Sequence, residues 1–141
     1  MIARGVVLAM LLTLGPRVPR ARLEPIADAI ATTATTRAEA VALVVLEFKE
    51  TSLGRGGPPF GLSCCAHRLA DAPLAAWAAT ALGIWRAGER ACGSMGDAAF
   101  YFNVGRCPMR VRGHSRAFRR AGRRGLVYAR SVAAITARLA P

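Results

Sequence analysis

Apolar positions recur along this chain at helical rather than strand spacing, and the clearest block runs from Val41 to Gly54. Val41 to Leu46 is apolar on every side, as a helix at the centre of a core must be. Thr36 and Glu39 have the S/T-x-x-E spacing of a capping box that starts this helix. Gly54, Gly56, Gly57, Pro58 and Pro59 break the structure beyond Thr51-Ser52. Glu50 is expected at the lip of the core, where partial burial would raise its pKa and let it hold a proton near neutral pH. Glu47 lies three residues earlier, within the buried run, so the two carboxylates are neighbours on one helix surface.

Weaker patterns flank that block. A helix is predicted over about Pro25 to Ala34, with Pro25 in its first turn and Glu24 just before it. Arg17 to Arg22 reads as an extended, solvated Pro/Arg linker. Phe60 to Ser63 is a short apolar segment that fits either a strand or a turn. Asp71 caps a predicted helix from about Ala72 to Ala87, where Leu74, Trp77, Ala78, Ala81, Leu82 and Trp85 repeat every three or four residues. The two Trp are expected to pack in the core. Ser94 with Asp97 starts a helix over about Met95 to Asn103, and Gly105 ends it. A closing helix over about Leu126 to Leu139 carries Tyr128, Val132, Ile135 and Leu139 on one stripe. The fold class is therefore mainly α, a small helical domain around a central buried helix.

Composition changes the picture in three ways. The 141 residues fit one domain, and the net charge of +12 favours an anionic partner. All basic residues but Lys49 are Arg, and they concentrate from Arg110 to Arg124. There, Arg112, Arg116, Arg119, Arg120 and Arg123 would share a face if helical, although Gly113 and Gly122 weaken a helix. Second, Arg4 followed by an apolar run from Gly5 to Gly15 matches a short signal-peptide core and is too short to span a bilayer. Export to the periplasm or cell envelope is the expectation, with residues 1–22 as leader and linker and 23–141 as the domain. A retained, buried N-terminal helix is the alternative. Third, Cys64, Cys65, Cys92 and Cys107 allow three full pairings. A Cys92–Cys107 bridge would staple the two ends of the helix between them, whereas adjacent Cys64 and Cys65 are not expected to bond each other. Cys64-Cys65-Ala66-His67 lacks the C-x-x-C spacing of a zinc site, so no metal is expected.

No nucleophile elbow, phosphate-binding glycine loop or H-E-x-x-H is present. What remains is an order of short motifs: Glu50-Thr51-Ser52, then Phe60-Gly61-Leu62-Ser63, then Ala99-Phe100-Tyr101-Phe102-Asn103-Val104-Gly105, and finally Tyr128-Ala129-Arg130-Ser131-Val132. Over roughly residues 38–139 this order resembles the lytic transglycosylases of the soluble type, within the lysozyme-like superfamily. The resemblance implies a lysozyme-like helical domain that cleaves the β-1,4 bond between N-acetylmuramic acid and N-acetylglucosamine in peptidoglycan. It implies Glu50 as the single catalytic acid and base. It also implies substrate contacts from Ser52, Gly61, Leu62, Ser63, Tyr101, Phe102, Asn103 and Tyr128. Thr51 stands where the family has Ser directly after the Glu, and Phe102 stands where it has Tyr before the Asn. The absence of a convincing second carboxylate fits assistance by the substrate's N-acetyl group.

The partner expected is the glycan strand, with no cofactor, no nucleic acid, no stable membrane span and a monomeric chain. A hydrolytic lysozyme of the same architecture and a catalytically inactive wall-binding module are the alternatives. A nucleic-acid-binding protein using the Arg-rich stretch leaves the leader and paired cysteines unexplained.

Overall fold

The apolar run from Val41 to Leu46 does form the central helix. In the computed structural model, which describes residues 2–108 and 116–139, α3 spans Arg37–Thr51. Its capping box is complete. The Thr36 hydroxyl accepts from the Glu39 N–H at 3.2 Å, and the Glu39 carboxylate accepts from the Thr36 N–H at 3.3 Å. Leu43, Val44, Val45 and Leu46 are fully buried, so the helix is enclosed on all sides.

The chain is mainly helical, with no strand among the described residues. It divides into two compact units, one formed by Met1–Leu82 with Ile135–Pro141 and the other by Gly83–Ala134. In the first, α1 (Arg4–Leu14) and α2 (Arg20–Thr33) pack on α3 and on each other. Val7 and Leu11 of α1 are fully buried, with Leu8, Met10 and Leu14 nearly so. Each such side chain contributes about 1.5–3 kcal/mol when removed from water. Arg4 forms an ion pair with Asp28 and another with Glu24 at 3.8 Å. The close approach of Gly15 to Leu53 is specific, since a Cβ on Gly15 would lie 2.5 Å from Leu53 Cδ1.

Two boundaries differ from the sequence pattern for identifiable reasons. Residues Arg20 and Arg22 are not linker: α2 begins at Arg20 and carries Pro25 inside it. The burial of Leu23, Ile26, Ala27 and Ile30 along one stripe, with the Arg20–Glu24 ion pair at 3.0 Å, outweighs the hydrogen bond that Pro25 cannot donate. Val18, just before, is buried rather than solvated. The helix predicted from Ala72 begins instead at Leu74, as α5 (Leu74–Cys92), because the residue before Pro73 is disfavoured in helical geometry. Between α3 and α5 the chain makes two 3-10 turns, Pro59–Gly61 and Ser63–Cys65, and the short helix α4 (Ala66–Leu69). The Phe60 to Ser63 segment is thus turn, not strand.

In the second unit α6 spans Met95–Val104, started by Ser94, whose hydroxyl accepts from the Asp97 N–H at 3.1 Å. Gly105 ends it at φ 75°. Cys92 and Cys107 are joined by a disulfide, stapling the ends of this helix. The final helix, α7 (Arg116–Ala137), starts ten residues before the predicted Leu126 and runs straight through Gly122 and Gly125. The second of these is a packing position: a Cβ on Gly125 would lie 2.5 Å from Phe100. Arg116, Arg119, Arg120, Arg123 and Arg124 are exposed on α7, whereas Arg110, Arg112 and Gly113 lie outside the described residues.

Candidate active site

The two carboxylates at the end of α3 differ sharply in burial. Glu50, in the last turn of α3, is exposed rather than partly buried, while Glu47 is only 2% exposed. A helical period explains the exposure of Glu50, because three residues turn the side chain by about 300° and carry position 50 past the edge of the core contact. Glu47 is held from two sides. Its Oε2 accepts from the Phe60 N–H at 2.7 Å, and its Oε1 lies 2.5 Å from the Thr51 hydroxyl. That hydroxyl also lies 2.8 Å from the Glu47 carbonyl and accepts from the Gly54 N–H at 2.8 Å. Desolvation, with repulsion from Glu50 adding to it, pushes the Glu47 carboxyl above the ordinary carboxylate range despite the hydrogen bonds from Thr51, Phe60 and Gly54.

The hydrogen-bond count agrees with a neutral Glu47. The Thr51 hydroxyl has one proton and faces two acceptors, the Glu47 carbonyl and Oε1. A protonated Oε1 donates to Thr51, and Thr51 donates to the carbonyl, so every contact has its hydrogen. An ionised Glu47 leaves one of these short contacts as lone pair against lone pair.

This network sits under a strained segment. Ser52, Leu53 and Phe60 have φ of 52°, 61° and 53°, left-handed values that non-glycine residues rarely adopt. Each costs about 1–3 kcal/mol and persists only where the surroundings impose it. Gly61 follows at φ 73°, and its backbone lies directly against Glu50. A Cβ there would clash with Glu50 Cγ and lie 2.9 Å from Oε2. The two parts of the motif that are eleven residues apart in sequence are therefore in contact. Ser52 and Ser63 are exposed, whereas Leu62 is buried and packs its side chain into the core.

The remaining candidates belong to the second unit. Tyr101 packs on α5, where a Cβ on Gly88 would be 3.0 Å from Tyr101 Cβ. Phe102 is half-buried, Asn103 is exposed, and Tyr128 of α7 is buried. Glu47 is the residue whose role the sequence pattern did not supply. Its signal was a Glu inside an apolar run with Thr four residues later, the spacing at which a helix brings two side chains together.

Two other features lie near the site. A cavity of about 300 Å³ is lined by residues including Leu14, Val18, Phe48, Leu53, Arg17 and Arg55. Arg138 donates to the Leu14 carbonyl at 3.4 Å, and its guanidinium lies 5.4 Å from the Phe48 ring centroid. These cations follow or cap helix C-termini, where positive charge complements the dipole. Cys64 and Cys65 are free thiols in contact with each other, and Arg68 lies 3.7 Å from Cys65 Sγ. The hydrogen bond from Cys64, helped by Arg68, holds the Cys65 thiol below its ordinary value and pushes Cys64 up.

Among the described residues no group of three or more His, Cys, Asp or Glu is placed to hold a metal ion. No helix among them is long and apolar enough to cross a membrane. No protein-family model, curated protein or solved structure matches the chain.

Proposed function

We propose that the chain is a peptidoglycan-cleaving glycosidase of lysozyme-like architecture, a lytic transglycosylase with Glu50 as acid and base. The observation that carries the reading is the contact between Glu50 and Gly61. It gives an exposed carboxylate at a helix end a backbone wall built by a left-handed turn, with the second carboxylate of the pair withdrawn into the core. An acid that must reach a polymer has to be accessible, and Glu50 is.

In this reading Glu50 protonates the bridging oxygen as the bond between N-acetylmuramic acid and N-acetylglucosamine breaks. The resulting carboxylate then takes the proton of the C6 hydroxyl, which closes on C1 to give a 1,6-anhydro end. Glu47 cannot serve as the nucleophile of a two-carboxylate mechanism, because it is buried and both its oxygens are engaged. The N-acetyl group of the substrate supplies that assistance. Exposed Arg along α7 suits the carboxylates of peptide stems. Such a substrate places the enzyme in the periplasm or cell envelope.

The test is digestion of purified sacculi by wild type and Glu50→Gln, with mass spectrometry of the released muropeptides. Anhydro-muropeptides from wild type, reduced about 100-fold or more in the variant, are expected. Reducing ends in their place identify a hydrolytic lysozyme. Binding without release by either protein identifies an inactive wall-binding module and removes Glu50 from its role.

A further inference from the structure

Of the eight Asp and Glu side chains, all among the described residues, only Glu47 is buried. Such a group is expensive to place in a core, and removing it would leave an apolar helix face continuous from Val44 to Phe48. Its two oxygens are engaged by Thr51 and the Phe60 N–H, so it cannot touch a substrate. What it does touch is the pair of elements that meet at Glu50. Thr51 is the last residue of α3, and Phe60 is the left-handed residue before Gly61. The Gly61 backbone occupies the space beside Glu50 Cγ, Cδ and Oε2, which closes one side of the exposed Glu50 side chain.

We propose that Glu47 is a positioning residue: tied to Thr51 and accepting from the Phe60 N–H, it holds the left-handed Phe60-Gly61 turn against α3, and Gly61 in turn fixes the side chain of Glu50. The three left-handed non-glycine residues, Ser52, Leu53 and Phe60, flank this tie on both sides. A turn of that kind loosens when an anchor is lost, because the backbone strain is then offset only by the burial of Phe60 and Leu62 and by the turn's own hydrogen bonds, such as Gly61 N–H to the Pro58 carbonyl. The catalytic meaning of the proposal rests on the glycosidase reading, whereas the ordering of Glu50 by Glu47 does not.

Gln mimics the protonated form of Glu47, since its amide N–H donates toward Thr51 while its carbonyl accepts from Phe60. Leu keeps approximate volume and leaves the Phe60 N–H without a partner. The experiment compares wild type, Glu47→Gln and Glu47→Leu by two readouts. The first is NMR of the labelled full chain, reading Phe60 amide exchange and the separation of the two Glu50 Hγ shifts. The second is muropeptide release from sacculi, resolved into kcat and KM.

Glu47→Gln is expected to match wild type in all of these. Glu47→Leu is expected to keep its helical circular dichroism while the Phe60 amide exchanges at least about tenfold faster. Its Glu50 Hγ shifts are expected to merge, and kcat to fall about 100-fold with KM little changed. Should Glu47→Leu not fold, Thr51→Val loosens the same tie from its other end, and smaller changes in the same direction are expected. Faster exchange at Phe60 with Glu50 shifts unchanged overturns the proposal, as does an unchanged kcat in an active background. A wild type that releases nothing from sacculi removes the glycosidase reading, and the Glu50 shifts then decide the positioning role by themselves.

Discussion

Two helices in this protein end beside segments that must be held in place, and different chemistry holds each. α3 runs out into Ser52 and Leu53, left-handed without being glycine, and a buried carboxyl ties its last turn to Phe60. α6 runs out into Gly105, which takes its left-handed φ at no steric cost, and Cys107 two residues later is bonded to Cys92. The first end is strained and depends on a proton. The second uses the residue suited to the geometry and depends on a covalent bond. The strained end is the one beside the candidate acid, as expected if strain is tolerated where side-chain placement matters more than stability.

The comparison breaks most severely at Glu47→Ala. Both a cavity and an unpaired Phe60 N–H result, so a loss of about 4 kcal/mol is expected in urea unfolding followed by Trp fluorescence. A loss below about 1 kcal/mol would mean that the tie is not holding the α3 end. Replacing both Cys92 and Cys107 by Ser opens a loop with a sequence separation of 15 and should cost about 3 kcal/mol. Hydrogen exchange sharpens the contrast, since amides of α6 should exchange faster in that variant while the Phe60 amide does not change.

Acidity separates the two ends next. The folded pKa of Glu47 lies above its unfolded value because of burial, with Glu50 adding to the effect. The stability this contributes is complete below the unfolded pKa of about 4.3 and is lost as pH rises through the folded value. Urea midpoints of wild type should therefore fall relative to Glu47→Gln as pH increases from about 4 to 8. Parallel curves would refute a neutral Glu47. The disulfide end has no matching titration.

The smallest difference lies at the helix starts. Thr36 and Glu39 cap each other reciprocally, whereas at Ser94 the Asp97 carboxylate accepts from the Ser94 hydroxyl. Thr36→Ala should cost about 1 kcal/mol and Ser94→Ala about half that, by thermal unfolding.

These contrasts also mark what the sequence could reveal. Local rules acted where local forces decide: the Thr36-Glu39 box, the Ser94 start, the Gly105 stop and the buried run from Ala42 to Leu46 all stand where the pattern put them. Pro25, which set the predicted helix start, and Gly125, which the pattern passed over, share one lesson. Each is a poor helix former in isolation, and each sits in a helix because neighbours bury Leu23 and Ile26 in one case and approach the bare backbone in the other. At the site, the pattern named Glu50 and Gly61 and put Glu47 in the buried run, but it also expected partial burial of Glu50, which is exposed. Hydropathy separates Glu47, inside the apolar run, from Glu50 beyond it, but it does not reveal that Phe60 returns to α3 and donates to the Glu47 carboxylate.

The first unit is interrupted in sequence by the second and resumes at Ile135. Arg138 reaches the Leu14 carbonyl across a separation of 124 residues, and Ile135 and Leu139 are buried. During synthesis, α1, α2 and α3 emerge long before the segment that completes their unit. Their apolar surfaces must wait, partly covered, while more than fifty further residues are made. Closure over so long a loop is slow compared with forming local helices. The order in which the chain is made therefore opposes the order in which its first unit can be finished, and the waiting intermediate is where a chaperone or an aggregation event would act.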